Sequence, residues 1–411
     1  MKDAMNSSAD PSDASPSQMV SAGAPKKSTR LLSLDTYRGL VLLLLCIEAP
    51  LWAWWTPIQE AFPNSAFWEA ITFHGQHVTW VGCAVWDLIQ PSFMFMVGVS
   101  MTYSLSKRKR LGDSWGKMLM HVIYRSVVLI LLGVFLRSVH SSQTNWTFED
   151  VLSQIGLGYT FLFLVWNRPR KIQWFIVAAI LVGYYLLFAL TPVYQTAGNP
   201  EGYPMWEGYL ANWNLNANPA HFADVWFLNL FSRETPFTFH ESGYNTLNFI
   251  PSLAIMILGL IAGELLRSEK SDGVKLTSLL SLGVCSLALG YFLDYAGVCP
   301  LVKKTWTPTF TIFSGGWCMI ILGVLYGTID IAKIRVWNFP LIVIGMNSIA
   351  LYIMLHFLPE LIDSTFKIHI GENYSHFLGL HFSKLVTNAI SGIVLWAICF
   401  WMYRRKIFLK I

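Results

Sequence analysis

Two histidines and an acid lie close together at the start of one apolar segment, residues 73–101, which reads FHGQHVTWVGCAVWDLIQPSFMFMVGVSM. Imidazole titrates near neutral pH and transfers protons in many enzymes, which makes His74 and His77 candidates for that chemistry. A carboxylate inside an apolar span is costly in lipid, so we expect Asp87 to face a protein interior or a wet cavity. On a continuous helix His77 and Asp87 share one face, with the carboxylate about 15 Å deeper. The segment therefore predicts one wall of a reaction or transport path.

The composition is typical of a membrane protein. The chain has 411 residues, of which 54% are hydrophobic and 13% are charged. Soluble domains carry about 25% charged residues, and several apolar runs here reach the roughly 20 residues that span a bilayer. The six cysteines are scattered without a CxxC pair, so neither a disulfide framework nor a metal site is predicted.

The order of apolar segments predicts an all-α polytopic bundle of about ten transmembrane helices within residues 30–411. Residues 1–29 are rich in Ser, Ala, Asp and Pro and are expected to form a disordered cytoplasmic tail. The predicted spans are residues 32–55, 80–105, 118–137, 151–166, 172–190, 247–266, 276–295, 310–328, 340–357 and 385–403.

The basic residues set the expected orientation of these spans. Of the 29 Lys and Arg residues, 21 fall in the termini and the even-numbered connections, and six fall on the opposite side. The positive-inside rule then puts both termini in the cytoplasm, so the net charge needs no nucleic-acid partner. His77, the 191–245 loop, Lys303 and the 358–384 loop converge on the outer face. We find no internal repeat, which weakens an interpretation as a two-half transporter.

Six segments resemble, in the same order, the heparan-alpha-glucosaminide N-acetyltransferase family and its bacterial relatives. They are RLLSLDTYRGL, HVTWVGCAVWDLIQPSFMFMVGVSM, DVLSQIGLGY, NFIPSLAIMILGLIAGELL, CPLVKKTWTPTF and GMNSIALY. The resemblance implies a multi-pass acyltransferase of the bacterial cytoplasmic membrane. It implies acetyl transfer from cytosolic acetyl-CoA, without a metal, to an amino sugar or sugar hydroxyl of a glycan at the outer face.

The resemblance also implies roles for individual residues. His77 matches the active-site histidine of the family, either as general base or as a covalent acyl carrier. The alternative is a histidine that caps a helix at the interface. Asp87 carries over from the same motif, either to orient a histidine or water or to join neighbouring helices. Because ten residues separate it from His77, a direct bond between them along one helix is not expected.

Four further residues are candidates for binding the acceptor. Lys303 is expected to stabilise an oxyanion or bind an acidic sugar, and Trp306 to stack on a sugar ring. The alternative is a solvated lysine beside an interfacial tryptophan. Asn347 lies in an apolar span and must find partners across helices or in a cavity. His74 is expected to be a neighbour of the reacting groups.

Three charged residues near the predicted cytoplasmic mouth are candidates for binding acetyl-CoA. Arg38 and Arg125 have the bidentate geometry that suits phosphate. Asp35 lies one turn before Arg38, and an ion pair of purely structural value is the alternative.

Two other classes of function remain open from the sequence. A secondary transporter of a small polar solute or envelope precursor would use the buried polar residues Asp87, Arg38 and Asn347 as well as an acyltransferase would. A non-catalytic partner in an envelope complex is the third possibility. The expected partners are the lipid bilayer, acetyl-CoA and a saccharide. A second copy of the chain, forming a homodimer, is a further possibility.

Overall fold

The computed structural model describes residues 31–48, 55–193 and 203–409. In these ranges the chain is helical, and its extended pairing is limited to one bridge between Val81 and Val302. The helices are α1 (Leu32–Glu48), α2 (Thr56–Ala61), α3 (Ala66–His74), α4 (Ile89–Arg110), α5 (Trp115–Ser138), α6 (Val151–Val165), α7 (Arg170–Ala189), α8 (Pro219–Leu228), α9 (Phe249–Arg267), α10 (Asp272–Tyr295), α11 (Pro308–Leu325), α12 (Phe339–Met346), α13 (Ser348–Ile370) and α14 (Ser383–Arg404). The all-α class is confirmed. The predicted tail, residues 1–29, lies outside the described residues.

Eight helices in the described ranges are long and apolar enough to cross a membrane, namely α4, α5, α7, α9, α10, α11, α13 and α14. Two further predicted spans contain shorter described helices: α6 has 15 residues, and α1 has 17 up to the end of its described range. Residues 49–54 of the predicted first span lie outside the described residues. The chain is therefore an integral membrane protein built as a polytopic helix bundle.

Helices α4 and α9 form the interior of the bundle. Within the most apolar 18 residues of each helix, 83% are buried in α9 and 17% in α10. Helix α9 is therefore central and α10 peripheral. The two inner helices approach closely because glycines face backbone: a Cβ on Gly98 or Gly259 would collide with the carbonyl oxygen of Met256 or Phe95. Small residues permit such contact between membrane helices, where lipid gives little hydrophobic drive to associate. The contact fixes the height of α4, which carries Asp87 just before its first turn.

The predicted ninth span, residues 340–357, is wrong as a single helix. Asn347 has non-helical angles, φ −121° and ψ 39°, and it separates α12 from α13. Glycines again set the packing: Gly39 of α1 faces Leu341, and Gly345 faces Asp35, so α12 runs antiparallel to α1. Because an Asn side chain competes for backbone hydrogen bonds, it favours such a break. The spanning helix of this region is α13, which continues to residue 370.

The segment 203–245 packs as an ordered cover over the end of the bundle that carries His77. Its asparagines bond both the bundle and the segment itself: the amide nitrogen of Asn212 donates to Phe188 O of α7 at 2.8 Å, and that of Asn214 donates to Trp206 O at 2.8 Å. The indole of Trp80 donates to Trp213 O at 3.0 Å, which ties the cover to the residues beside His77. Order here agrees with the aromatic content of the segment.

Candidate active site

His77 lies in a loop and not on a helix. The predicted second span begins too early, because residues 75–85 are irregular and helical structure resumes at Trp86. Gly82 has a φ of 113°, and its amide donates to Leu301 O at 2.9 Å. A positive φ of this size favours glycine, so the sequence HVTWVG builds a turn braced by a second loop. The expectation that His77 and Asp87 share a helix face is therefore wrong.

The loop returns His77 directly to Asp87. The imidazole Nδ1 is 2.7 Å from Asp87 Oδ1, although no direct bond between these residues was expected. That expectation failed because it assumed a straight helix between them. The second carboxylate oxygen accepts from the amides of Ala84 at 2.9 Å and Val78 at 3.4 Å. Asp87 thus holds both the imidazole and the backbone of the loop that carries it.

Lys303 completes a charged cluster. Its Nζ is 3.1 Å from Nδ1 and 3.3 Å from Nε2 of His77, and 3.7 Å from Asp87 Oδ1. The nearly equal distances mean that the ammonium lies beside the imidazole and not along the axis of one nitrogen lone pair. The Lys303 and Asp87 side chains are 5% and 1% exposed, whereas His77 is 25% exposed. The buried charges cancel, and the imidazole is the part of the cluster that reaches open space.

The electrostatics of the cluster favour a neutral imidazole. Burial and the Lys303 charge lower the pKa of His77 from 6.5 to about 4, against the opposing effect of Asp87. With Nδ1–H donating to Asp87, Nε2 carries the lone pair of the ring, 3.3 Å from the Lys303 ammonium. This tautomer follows from the hydrogen-bond network. An imidazole held this way can accept a proton or attack a carbonyl carbon at neutral pH.

Two aromatic residues beside the cluster were not among the predicted site residues. The Lys303 ammonium donates to Tyr244 Oη at 3.4 Å, and the Tyr244 ring meets His77 edge-on at 6.4 Å between centroids. Burial raises the pKa of Tyr244 well above its usual range, so its hydroxyl stays neutral. Trp86 lies on the other side, 6.2 Å from the imidazole centroid. Trp86 is part of the WDLIQP motif, but Tyr244 had no signal beyond its position in an aromatic loop.

Lys304 points to a different set of partners. Its Nζ donates to Thr79 O at 2.9 Å and to Tyr203 Oη at 3.1 Å. It therefore fixes the backbone two residues after His77 and binds the cover segment. Of the two adjacent lysines, Lys303 therefore belongs to the charged cluster and Lys304 supports the loop beside it.

The other predicted acceptor-binding residues place no side chain on the His77 imidazole in the described ranges, although the Trp306 amide donates to Lys303 O at 2.8 Å. His74 is exposed at the end of α3. Trp306 is fully buried and packs edge-on against Phe310 at 5.6 Å, which in this conformation suits core packing better than stacking on a sugar. Asn347 lies at the α12–α13 break, where its Oδ1 accepts from Leu409 N at 3.3 Å. None of the three contacts His77 in the described residues.

The predicted coenzyme-binding residues divide into two places. Arg38 Nη1 is 3.5 Å from Asp35 Oδ1, and its other terminal nitrogen bonds the Ser100 hydroxyl of α4. Arg125 lies on α5 with its guanidinium 4.9 Å above the Tyr159 ring of α6. The predicted ion pair at the start of α1 is present. The structure does not bring Arg125 into contact with that pair in the described residues.

These features define a class: a polytopic all-α membrane protein with a buried His–Asp–Lys cluster at one end of the bundle. No family model matches the chain. It is 26% identical to the human (Homo sapiens) heparan-alpha-glucosaminide N-acetyltransferase over 93% of its own length and 60% of that relative. It is 24% identical to the Mus musculus protein of the same name, over 93% of the chain and 61% of the relative. The similarity confirms the resemblance to the N-acetyltransferase family. The chain spans about three fifths of the length of these relatives.

Proposed function

We propose that the chain is a transmembrane acetyltransferase that transfers acetyl from acetyl-CoA to an amino sugar or sugar hydroxyl of a glycan. The observation that carries this proposal is the cluster of His77, Asp87 and Lys303, in which only the imidazole reaches open space. The relatives, which are named as N-acetyltransferases, support the reaction class.

In the direct route, His77 acts as general base. The lone pair of the acceptor nitrogen or oxygen attacks the thioester carbonyl carbon, which becomes a tetrahedral oxyanion, while the acceptor's proton moves to Nε2. Asp87 stabilises the imidazolium through Nδ1–H, and Lys303 places a positive charge near the oxyanion. When the C–S bond breaks, His77 returns the proton to the leaving thiolate. Each proton and electron pair is accounted for without a further reactant.

In the covalent route, Nε2 itself attacks the thioester and forms an acetyl-imidazole, which the acceptor then opens. Both routes use the same tautomer of His77. Trapping of radiolabelled acetyl on the wild-type protein, but not on His77→Ala, selects the covalent route. Absence of label on the wild type selects direct transfer.

We propose that the donor enters from the opposite end of the bundle, with both chain termini in the cytoplasm of a bacterium. Helix α4 begins beside Asp87 and ends at Lys107–Arg110, so reacting cluster and basic cluster lie at its two ends. Arg38 contacts α4 through Ser100, between these ends. Arg38→Ala should weaken acetyl-CoA binding in a folded protein, and unchanged affinity would leave the Asp35–Arg38 pair a structural role.

The orientation can be tested by cysteine labelling of intact cells in a background without the exposed Cys285. Glu241→Cys lies in the cover segment and Lys270→Cys lies between α9 and α10, and both positions are exposed. An impermeant reagent should label position 241 at once and position 270 only after the membrane is opened. The reverse pattern would overturn the proposed orientation.

The reaction can be tested in proteoliposomes with radiolabelled acetyl-CoA on the side of the termini. Glucosamine and N-acetylglucosamine serve as probes, since the second lacks a free amine and reports O-acetylation. Acetyl on either sugar supports the enzyme. Uptake of unmodified sugar without acetyl-CoA, together with no acetyl transfer, would favour the secondary transporter instead.

A further inference from the structure

An open groove of about 680 Å³ lies at the end of the bundle opposite His77. It is formed where the last turn of α4, the α6–α7 turn and the last turn of α9 meet. Four cationic side chains line it: Lys109, Arg110, Arg168 and Arg267. We call this the basic groove. Counted along α4 at 1.5 Å per residue, it lies about 30 Å from Asp87, so it is separate from the reacting cluster.

The cations of the basic groove are not neutralised by acids within the described residues. The groove contains one carboxylate, Glu264, which already binds Gln173 at 2.9 Å and Arg170 at 3.4 Å. No carboxylate of the described residues forms an ion pair with Lys109, Arg110 or Arg168. The groove therefore carries an excess positive charge that suits an anion.

A smaller cavity of about 260 Å³, with apolar side chains on one side, continues the basic groove. The two share Trp166, Asn167 and Arg168, and the cavity is otherwise lined by Trp115, Phe163 and Leu164. Charged and apolar subsites thus meet at Trp166, over which Lys109 Nζ lies at 5.9 Å. A ligand that fills both needs an anionic head and an apolar tail.

The level of the groove in the bundle fits a membrane lipid. Helix α4 has 22 residues, or about 33 Å, which is close to the thickness of the hydrocarbon core, so its last turn lies at the interface. Trp115 and Trp166 lie beside that turn, as interfacial tryptophans do. Basic pockets between transmembrane helices on the cytoplasmic side bind lipid phosphates.

We propose that the basic groove and the smaller cavity bind an anionic phospholipid, with the phosphate among Arg110, Arg168 and Arg267 and an acyl chain against Trp166 and Phe163. The guanidinium of Arg267 is already oriented by bonds to Thr102 O, at 2.9 Å, and to the Ser106 hydroxyl. The shared chemistry is a phosphate, which acetyl-CoA also carries, so the test must separate the two sources. The binding is independent of acetyl transfer.

The test compares thermal unfolding of the full chain in micelles that contain phosphatidylglycerol or phosphatidylcholine with identical acyl chains. Phosphatidylglycerol should stabilise the wild type more. In Arg110→Gln/Arg168→Gln the concentration for half of that stabilisation should rise about 30-fold, from about 1 kcal/mol per basic residue. Arg110→Lys/Arg168→Lys should retain most of the response, because it keeps the charge.

A matched control removes two exposed cations outside the groove, Arg405→Gln/Lys406→Gln, and should respond as the wild type does. An equal loss in this control, or an equal response to both lipids in the wild type, would overturn the proposal. Acetyl-CoA is added in a separate arm without phosphatidylglycerol. If Arg110→Gln/Arg168→Gln loses stabilisation by acetyl-CoA and keeps that by phosphatidylglycerol, the groove binds the donor and the lipid assignment is wrong. If Arg110→Gln/Arg168→Gln fails to fold, Lys109→Gln/Arg110→Gln repeats both arms.

Discussion

Two aspartates at opposite ends of α4 each lie beside two basic side chains, yet their surroundings differ. Asp113 contacts Lys117 at 2.6 Å and Arg108 at 3.3 Å, and the Lys117 side chain is 69% exposed. Asp87 contacts His77 and Lys303 at comparable distances, but Lys303 is 5% exposed. The two carboxylates have similar basic neighbours, but those of Asp113 are open to water and Lys303 beside Asp87 is not.

Burial changes what the same arrangement does. Water screens the charges around Asp113, whose pKa is lowered by Lys117 first and Arg108 next, so the group mainly closes the α4–α5 turn. In the Asp87 cluster, burial makes each charge depend on the others, because an isolated buried ion is strongly unfavourable. Keeping the charges together is therefore unfavourable in free energy at the Asp87 end and nearly neutral at the Asp113 end. Such a cost is typical of functional sites.

The largest expected effect comes from His77→Ala. Loss of a general base typically lowers the rate by 10²–10⁴-fold, and loss of a covalent acyl carrier acts at the same step. We expect that loss in acetyl transfer to glucosamine, with acetyl-CoA binding retained. The measurement is kcat from steady-state transfer together with a donor-binding isotherm.

His74→Ala is the control for His77, because it removes an imidazole three residues away that is exposed at the end of α3. It should change kcat by much less. A folded His77→Ala with near-normal transfer would show that the cluster is structural, and it would make the two ends of α4 equivalent in function.

The second effect concerns stability. Asp87→Asn keeps the shape of the side chain but leaves the Lys303 ammonium buried without its counter-charge. Breaking a buried pair in this way costs about 3–5 kcal/mol, and much of that penalty should vanish in Asp87→Asn/Lys303→Met. The measurement is the free energy of unfolding in denaturant for both single variants and the double variant.

Asp113→Asn tests the same change at the exposed end. It should leave the unfolding free energy nearly unchanged, because water replaces the lost partner. An equal loss at both positions would mean that burial does not distinguish them.

The fold class and most spans were readable from the sequence, because apolar length and basic asymmetry are properties of single segments. His77 and Asp87 were also singled out as candidates, since a titratable pair in an apolar run is unusual and the surrounding motif resembles that of the family. Their contact was not, because it depends on a turn at Gly82 braced by Leu301, more than two hundred residues away. The break at Asn347 was missed for a related reason: the run around it is apolar enough to read as one continuous helix.

Tyr244 illustrates a different limit. Its hydroxyl meets Lys303 through packing between two loops that are distant in sequence. The spacing of residues within either loop does not predict that contact. Residues that act through a long-range contact of this kind are found only once the fold is known.

The third effect is a change in pH dependence. Activity by either route needs neutral His77, so with N-acetylglucosamine, which has no amine to protonate, the acid limb of kcat/KM in the wild type should lie near the pKa of about 4. Lys303 is one cause of that low value, because a positive neighbour disfavours the imidazolium. In Lys303→Met the pKa of His77 should rise toward 6.5, and the acid limb should move up with it. An unmoved limb in a folded variant would separate His77 from the rate-limiting proton transfer.

The smallest expected effect belongs to the tyrosines on the two neighbouring lysines. Tyr244→Phe removes the hydroxyl that accepts from Lys303 at 3.4 Å and keeps the ring against His77. A net hydrogen bond contributes about 0.5–1.5 kcal/mol, so kcat should fall about twofold to tenfold with KM for acetyl-CoA unchanged. Tyr203→Phe removes a shorter bond, 3.1 Å, but from Lys304, which supports the loop and does not contact His77. It should leave kcat near the wild-type value. If Tyr203→Phe lowers kcat as much as Tyr244→Phe does, the hydroxyl of Tyr244 stabilises the cover segment and does not position Lys303.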